Sequence, residues 1–122
     1  MGRNLKVVHE PKYHLPHPKL LKTLQECGAV CDNMTTMVLT KPDLQFRTNQ
    51  LQLLRDCANI CDTTENFVAR NSPFAKTIAD ECAYICETCG TECSRFPDME
   101  SQRCAQICFK CVDECRQYTM MR

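Results

Sequence analysis

Cys82-Ala83-Tyr84-Ile85-Cys86-Glu87-Thr88-Cys89-Gly90-Thr91-Glu92-Cys93 and Cys104-Ala105-Gln106-Ile107-Cys108-Phe109-Lys110-Cys111-Val112-Asp113-Glu114-Cys115 carry one pattern, C-x3-C-x2-C-x3-C. On an α-helix, at about 100° per residue, those offsets place the four sulfurs of each stretch within an arc of about 60°. Each stretch is a single sulfur stripe. Steps of four, three and four are those of a coiled-coil seam, where apolar side chains ordinarily meet the partner helix. Cysteine stands where the core belongs.

Working outward from the ladders, helix three is predicted over about 73–96, with Ser72 as N-cap and Pro73 at the first helical position. Its seam reads Ala75, Ala79, the first ladder and Phe96. Pro97-Asp98 turns the chain, and Asp98 caps a fourth helix, about 98–118, that carries the second ladder toward Tyr118. Upstream lie two further helices. The first, about 18–39, starts at Pro18 and has a seam of Leu20, Leu24, Cys27, Cys31, Met34 and Val38; it stops before Pro42, which disfavours helix at Lys41. The second, about 44–69 with Asp43 as its cap, has a seam of Gln50, Leu54, Cys57, Cys61, Thr64 and Val68, widened by Leu51, Leu53, Ile60 and Phe67. Residues 1–17 hold Pro11, Pro16 and the three histidines, His9, His14 and His17; they read as an extended arm laid on the body by Leu5, Val7 and Val8. The fold expected is all-α, an antiparallel up-down-up-down four-helix bundle over 18–122 with a cysteine-lined core. The recurrence of CxxxC in each half reads as two similar hairpins.

Composition narrows the function. Fifteen basic residues balance fifteen acidic ones in 122 residues, so no large field favours nucleic acid or an anionic membrane surface. The N-terminal residues hold no apolar run of signal-peptide length and no transmembrane segment follows, so a cytoplasmic, reducing location is expected. Twelve cysteines in such a compartment point to metal or redox chemistry. With short connections and a rise of about 1.5 Å per residue, Cys31, Cys57, Cys86 and Cys108 fall in one layer. Cys27, Cys61, Cys82 and Cys111 form a second, within about a turn of the first. Cys89, Cys93 and Cys104 extend the column toward the end that also holds Met34, Met37 and Met99, and Cys115 extends it the other way.

Charge selects the occupant of such a column. No position of the four predicted seams carries Lys or Arg, and a buried ion costs several kcal/mol unless it is compensated. Four thiolates around Zn²⁺, or around a [4Fe–4S]²⁺ cluster, leave a net −2 per site. Replacing each thiol proton by Cu(I) leaves the core charge unchanged, and soft sulfur ligands suit that ion. Cβ atoms at i and i+4 lie about 5–6 Å apart, and two collinear metal–sulfur bonds of about 2.3 Å span about 4.5 Å. Each x3 pair can therefore bridge one ion. The expected metal ligands are Cys27, Cys31, Cys57, Cys61, Cys82, Cys86, Cys89, Cys93, Cys104, Cys108, Cys111 and Cys115. Met34 sits on a seam, where it is either a further ligand or a core filler. An iron–sulfur or zinc electron-transfer protein, and a disulfide-stapled interaction module, stay open as alternatives.

On CxxxC at 27/31 and 57/61 and CxxxCxxCxxxC at 82–93 and 104–115, the chain resembles the cytosolic copper storage proteins, a cysteine-rich four-helix-bundle family. The resemblance covers the body from helix one to helix four. It implies a bundle that stores many Cu(I) ions on cysteine thiolates without catalysis, assembles as a homotetramer, exchanges copper with a chaperone or acceptor, and admits copper at a mouth lined by His or Met. The mouth residues do not carry over directly: the histidines here fall at the opposite end from Met34, Met37 and Met99.

Overall fold

The computed structural model describes residues 14–122, so the arm expected from Leu5, Val7, Val8 and His9 lies outside the described residues. Four helices follow in order: α1 (Pro18–Leu39), α2 (Thr48–Ala69), α3 (Ala75–Ser94) and α4 (Met99–Thr119). Each packs on its neighbour in the chain, and α4 closes back on α1, making a four-sided antiparallel bundle. The described residues include no strand.

The helix ends follow from side-chain chemistry. α1 begins with Pro18 in its first turn, directly after His17, whose left-handed backbone (φ 49°) sets the ring edge-on against Tyr118 with centroids 4.8 Å apart. α2 starts four residues later than the periodicity suggests. Leu44–Phe46 forms a single 3-10 turn, with Phe46 N–H donating to the Asp43 carbonyl and Arg47 N–H to that of Leu44. Asp43 does not cap it, because its carboxylate instead accepts from Arg47 Nε at 2.8 Å. α2 ends in a Schellman arrangement: Asn71 takes the left-handed conformation (φ 53°) and Ser72 N–H reaches back to the Phe67 carbonyl at 3.0 Å. Ser72 Oγ accepts from Phe74 N–H at 3.1 Å, so it caps a turn ahead of the helix, and α3 starts at Ala75 instead of Pro73. Asp98 caps α4 by accepting from Ser101 N–H at 3.0 Å, as its position after Pro97 suggests.

The seams form the core. Leu20, Leu24, Cys27, Cys31, Met34 and Val38 on α1 are buried, as are Gln50, Leu54, Cys57, Cys61, Thr64 and Val68 on α2. On the other hairpin Ala75, Ala79 and both ladders are buried, and Ser101 and Tyr118 extend the α4 seam by one step of three at each end. Gly90 permits the close approach of α3 to α4: a Cβ there would lie 2.9 Å from the Phe109 ring and 3.2 Å from Cys108 Cβ. No helix among the described residues is long and apolar enough to cross a membrane.

Candidate metal centre

All twelve cysteines are free thiols with no solvent exposure, and all four helices contribute. Their sulfurs touch across helices: Cys27 to Cys57 at 3.9 Å, Cys31 to Cys108 at 3.9 Å, Cys57 to Cys86 at 3.5 Å and Cys61 to Cys86 at 3.8 Å. Within one helix, Cys82 and Cys86 lie 3.8 Å apart. These are contact distances between unbonded sulfurs. Three quartets bring their ligand atoms within 4.8 Å of one another: Cys27, Cys31, Cys57 and Cys108; Cys27, Cys57, Cys61 and Cys86; and Cys61, Cys82, Cys86 and Cys111. The middle quartet takes two members from each of the others. The sulfurs therefore form a continuous column in which the two layers expected from helix rise interlock, with Cys89, Cys93, Cys104 and Cys115 lying beyond the quartets.

That overlap has a chemical consequence. At most two separate four-thiolate sites fit among the eight quartet residues. Each would leave −2 around a divalent ion in a desolvated interior. A monovalent soft ion shared between neighbouring sulfurs meets no such penalty. The thiols of the column differ in how readily they bear charge. Neighbouring thiols, Cys108 foremost, pull the Cys27 thiol down against the opposing effect of burial, and Cys111 foremost does the same for Cys82. Cys31 and Cys86 are pushed up, by Cys104 and Cys111 foremost, with burial adding to the effect. A thiolate formed on Cys27 or Cys82 is held by the S–H groups around it, while Cys31 and Cys86 are held toward their protonated forms.

One end of the column is sealed by a polar network that the seam reading missed. Arg47 is 4% exposed and lies one step of three before Gln50, so it occupies a seam position after all. The expectation of a seam without Lys or Arg is corrected here. A buried guanidinium is tolerable because two carboxylates meet it: Nε donates to Asp43 Oδ1 at 2.8 Å and Nη2 to Asp98 Oδ1 at 2.9 Å. It also lies 4.3 Å from the centroid of the Phe96 ring. Burial alone would raise the Asp98 carboxyl; hydrogen bonds from Arg47 and Ser101 and the Arg47 charge outweigh it and hold the group at about 2. Burial opposes the charge on Arg47 as well, yet Asp43 and Asp98 carry its pKa above the ordinary value. The network is thus internally neutralised to a slight acidic excess, and it leaves no free cation to balance thiolates.

Beside this seal, between α1 and α4, a cleft of about 320 Å³ brings Met34, Met37 and Met99 together with Cys104, Asn33 and Arg103. Met34 is 2% exposed and Met99 71%, so the thioethers run from the core to the surface. Asn33 Nδ2 donates to Met37 Sδ at 3.6 Å. Helix rise had put these methionines at one end; that they flank a gap reaching a ladder cysteine depends on how α1 and α4 diverge. His17 lies at the other end, against Tyr118, and His14 is exposed.

Comparison with known proteins agrees with this architecture. The family model described as copper storage protein matches residues 14–120. The uncharacterised cysteine-rich protein YhjQ of Bacillus subtilis (strain 168) is 36% identical over 70 residues, 57% of this chain. The match spans 65% of that relative, just under two thirds of its length. The Cu(I)-bound copper storage protein BsCsp3 has 33% identity and a TM-score of 0.78, over 81% of this chain and 93% of its own. A cytosolic copper storage protein from Streptomyces lividans carrying five coppers superposes with a TM-score of 0.83 over 87% of this chain and 93% of its own; at 21% identity it speaks to the fold alone. With the family model spanning all four helices, the chain belongs to the copper storage protein family.

Proposed function

We propose that this protein stores Cu(I), with all twelve cysteines as thiolate ligands and Met34 as a further thioether ligand where the column meets the cleft. One observation carries the reading: twelve buried free thiols from four helices form one continuous column with, among the described residues, no cation free to offset excess thiolate charge. Each Cu(I) that binds displaces one thiol proton to solvent, so the core stays neutral as it fills. Storage, with no turnover, is the role this implies. The buried seams offer no acid–base pair beside a substrate cleft. The cleft of Met34, Met37 and Met99 is the mouth in this reading, since thioethers bind Cu(I) softly and release it to the thiolates of Cys104 and its neighbours.

A reducing, cytoplasmic location is part of the proposal, because sulfurs 3.5–4.0 Å apart are poised to oxidise elsewhere. So are assembly as a homotetramer and exchange with a copper chaperone or acceptor. Phe74, Tyr84 and Phe46, all largely exposed, supply apolar surface for assembly, and light scattering reads the mass. The deciding experiment titrates the fully reduced protein with Cu(I) against a competing chromogenic chelator. Retention of about one ion per sulfur, roughly a dozen, is the expected result. Saturation at one or two ions, or stoichiometric zinc or iron–sulfur absorption in protein purified without added copper, overturns it.

A further inference from the structure

Gln50 is completely buried in a seam that, past Arg47, is otherwise made of apolar residues, cysteine and a threonine, so every polar atom of its amide must be bonded or it is strongly destabilising. All of them are. Oε1 accepts from Arg47 Nη1 at 3.1 Å, and Nε2 donates to Ser101 Oγ at 2.9 Å and to Cys93 Sγ at 3.5 Å. The orientation of the amide is fixed twice over. Arg47 can only donate, so the oxygen must face it. Ser101 spends its single hydroxyl hydrogen on Asp98 Oδ2 at 2.8 Å, so it can only accept from Gln50. The second N–H of the amide has Cys93 as its partner.

A neutral thiol is a poor acceptor, whereas a thiolate is a charged one to which hydrogen bonds are markedly stronger. The bond from Gln50 therefore gains strength when Cys93 binds a metal and its proton is displaced to solvent. Among the inter-helix contacts of the column, this is an N–H aimed at a sulfur, while Cys27, Cys31, Cys57, Cys61 and Cys86 meet other cysteine sulfurs. Building on the storage reading above, we propose that Gln50 is a positioning residue. Held by Arg47 and Ser101, it fixes Cys93 as the terminal thiolate of the copper bound nearest the sealed end. Copper occupancy there is coupled to the Asp98–Arg47–Gln50 chain, and the rest of the column fills without it.

The test uses Gln50→Glu, which keeps an acceptor for Arg47 but replaces the N–H facing Cys93 by a negative oxygen, and Gln50→Leu, which removes the donor without adding charge. Reduced wild type and variants are titrated with Cu(I) under the same chelator. One equivalent is expected to bind about 10–100-fold more weakly in either variant, the range for losing a partner of a metal ligand, while the other equivalents are unchanged. In a Cys93→Ala background the Gln50 substitutions are expected to cost nothing further. A merely structural role predicts the reverse: lowered thermal stability, equal loss with and without Cys93, and unaltered copper retention. If wild type loads fully and a folded Gln50 variant retains every ion at the same chelator concentration, the inference is wrong and storage stands. If Gln50→Glu does not fold, Gln50→Leu alone decides. If wild type itself fails to load, the storage reading fails instead.

Discussion

The hairpin of α1 and α2 and the hairpin of α3 and α4 bury equivalent seams and fill them differently. In the first, Leu20, Leu24, Val38, Leu54 and Val68 surround four cysteines. In the second, eight cysteines run between small or polar ends, Ala75, Ala79, Ser101 and Tyr118. Hydrocarbon dominates the core of α1 and α2, and sulfur, the proposed copper ligand, dominates that of α3 and α4. On the storage proposal, this division predicts that the first hairpin carries the stability of the metal-free protein and the second most of its copper capacity.

Substitutions can break this division of labour. Leu24→Ala or Leu54→Ala removes a fully buried side chain from the hydrocarbon hairpin and is expected to cost about 3–4 kcal/mol in urea unfolding of the reduced, metal-free protein. Copper capacity of the folded fraction should not change. Asp98→Ala leaves the buried Arg47 with one carboxylate fewer and strips the cap from α4, an expected loss of about 3 kcal/mol near pH 7. Because the Asp98 carboxyl sits at about 2, below its ordinary value of 3.8, its contribution is present above pH 3.8 and lost as pH falls through about 2. The gap between wild type and Asp98→Ala should therefore narrow between those limits in an acid-unfolding series.

Two glycines sharpen the contrast between hairpins. A Cβ on Gly90 drives into the Phe109 ring and Cys108 Cβ, so Gly90→Ala is expected to destabilise by about 2 kcal/mol. At Gly28 the nearest atom is the end of the Asp62 side chain, at 3.1 Å, and alanine gains up to about 1 kcal/mol of helix propensity. Gly28→Ala should be neutral or slightly stabilising by thermal melt. Among the destabilising changes the smallest belongs to the sulfur hairpin: Cys89→Ala or Cys111→Ala should cost about 1 kcal/mol while lowering copper retention by about one ion per sulfur removed. A large loss of stability with intact capacity at these positions would break the comparison.

The network at the sealed end marks where sequence reading ran out. Gln50 was legible as a seam position, but Arg47, one step before it, carries a charge and follows an irregular turn, so periodicity alone gave no reason to turn it inward. Ser101 follows from extending the α4 ladder by three residues; its bonds to Gln50 and Asp98 do not. Arg47 is buried because Asp98, 51 residues away, meets it. Likewise, helix rise put Met34, Met37 and Met99 at one height, while the cleft that joins them to Cys104 depends on the spacing of α1 and α4.

By itself the sequence determined the four helices, the seams and the sulfur column, because each depends on a repeat of three and four residues acting through local helix geometry. The overlap of the quartets, the seal around Arg47 and the opening beside Met34 were decided by tertiary structure. Those features require groups distant in the chain to meet within a few ångströms. Hydrogen-bond satisfaction and charge compensation there outweigh the local preferences that a repeat records.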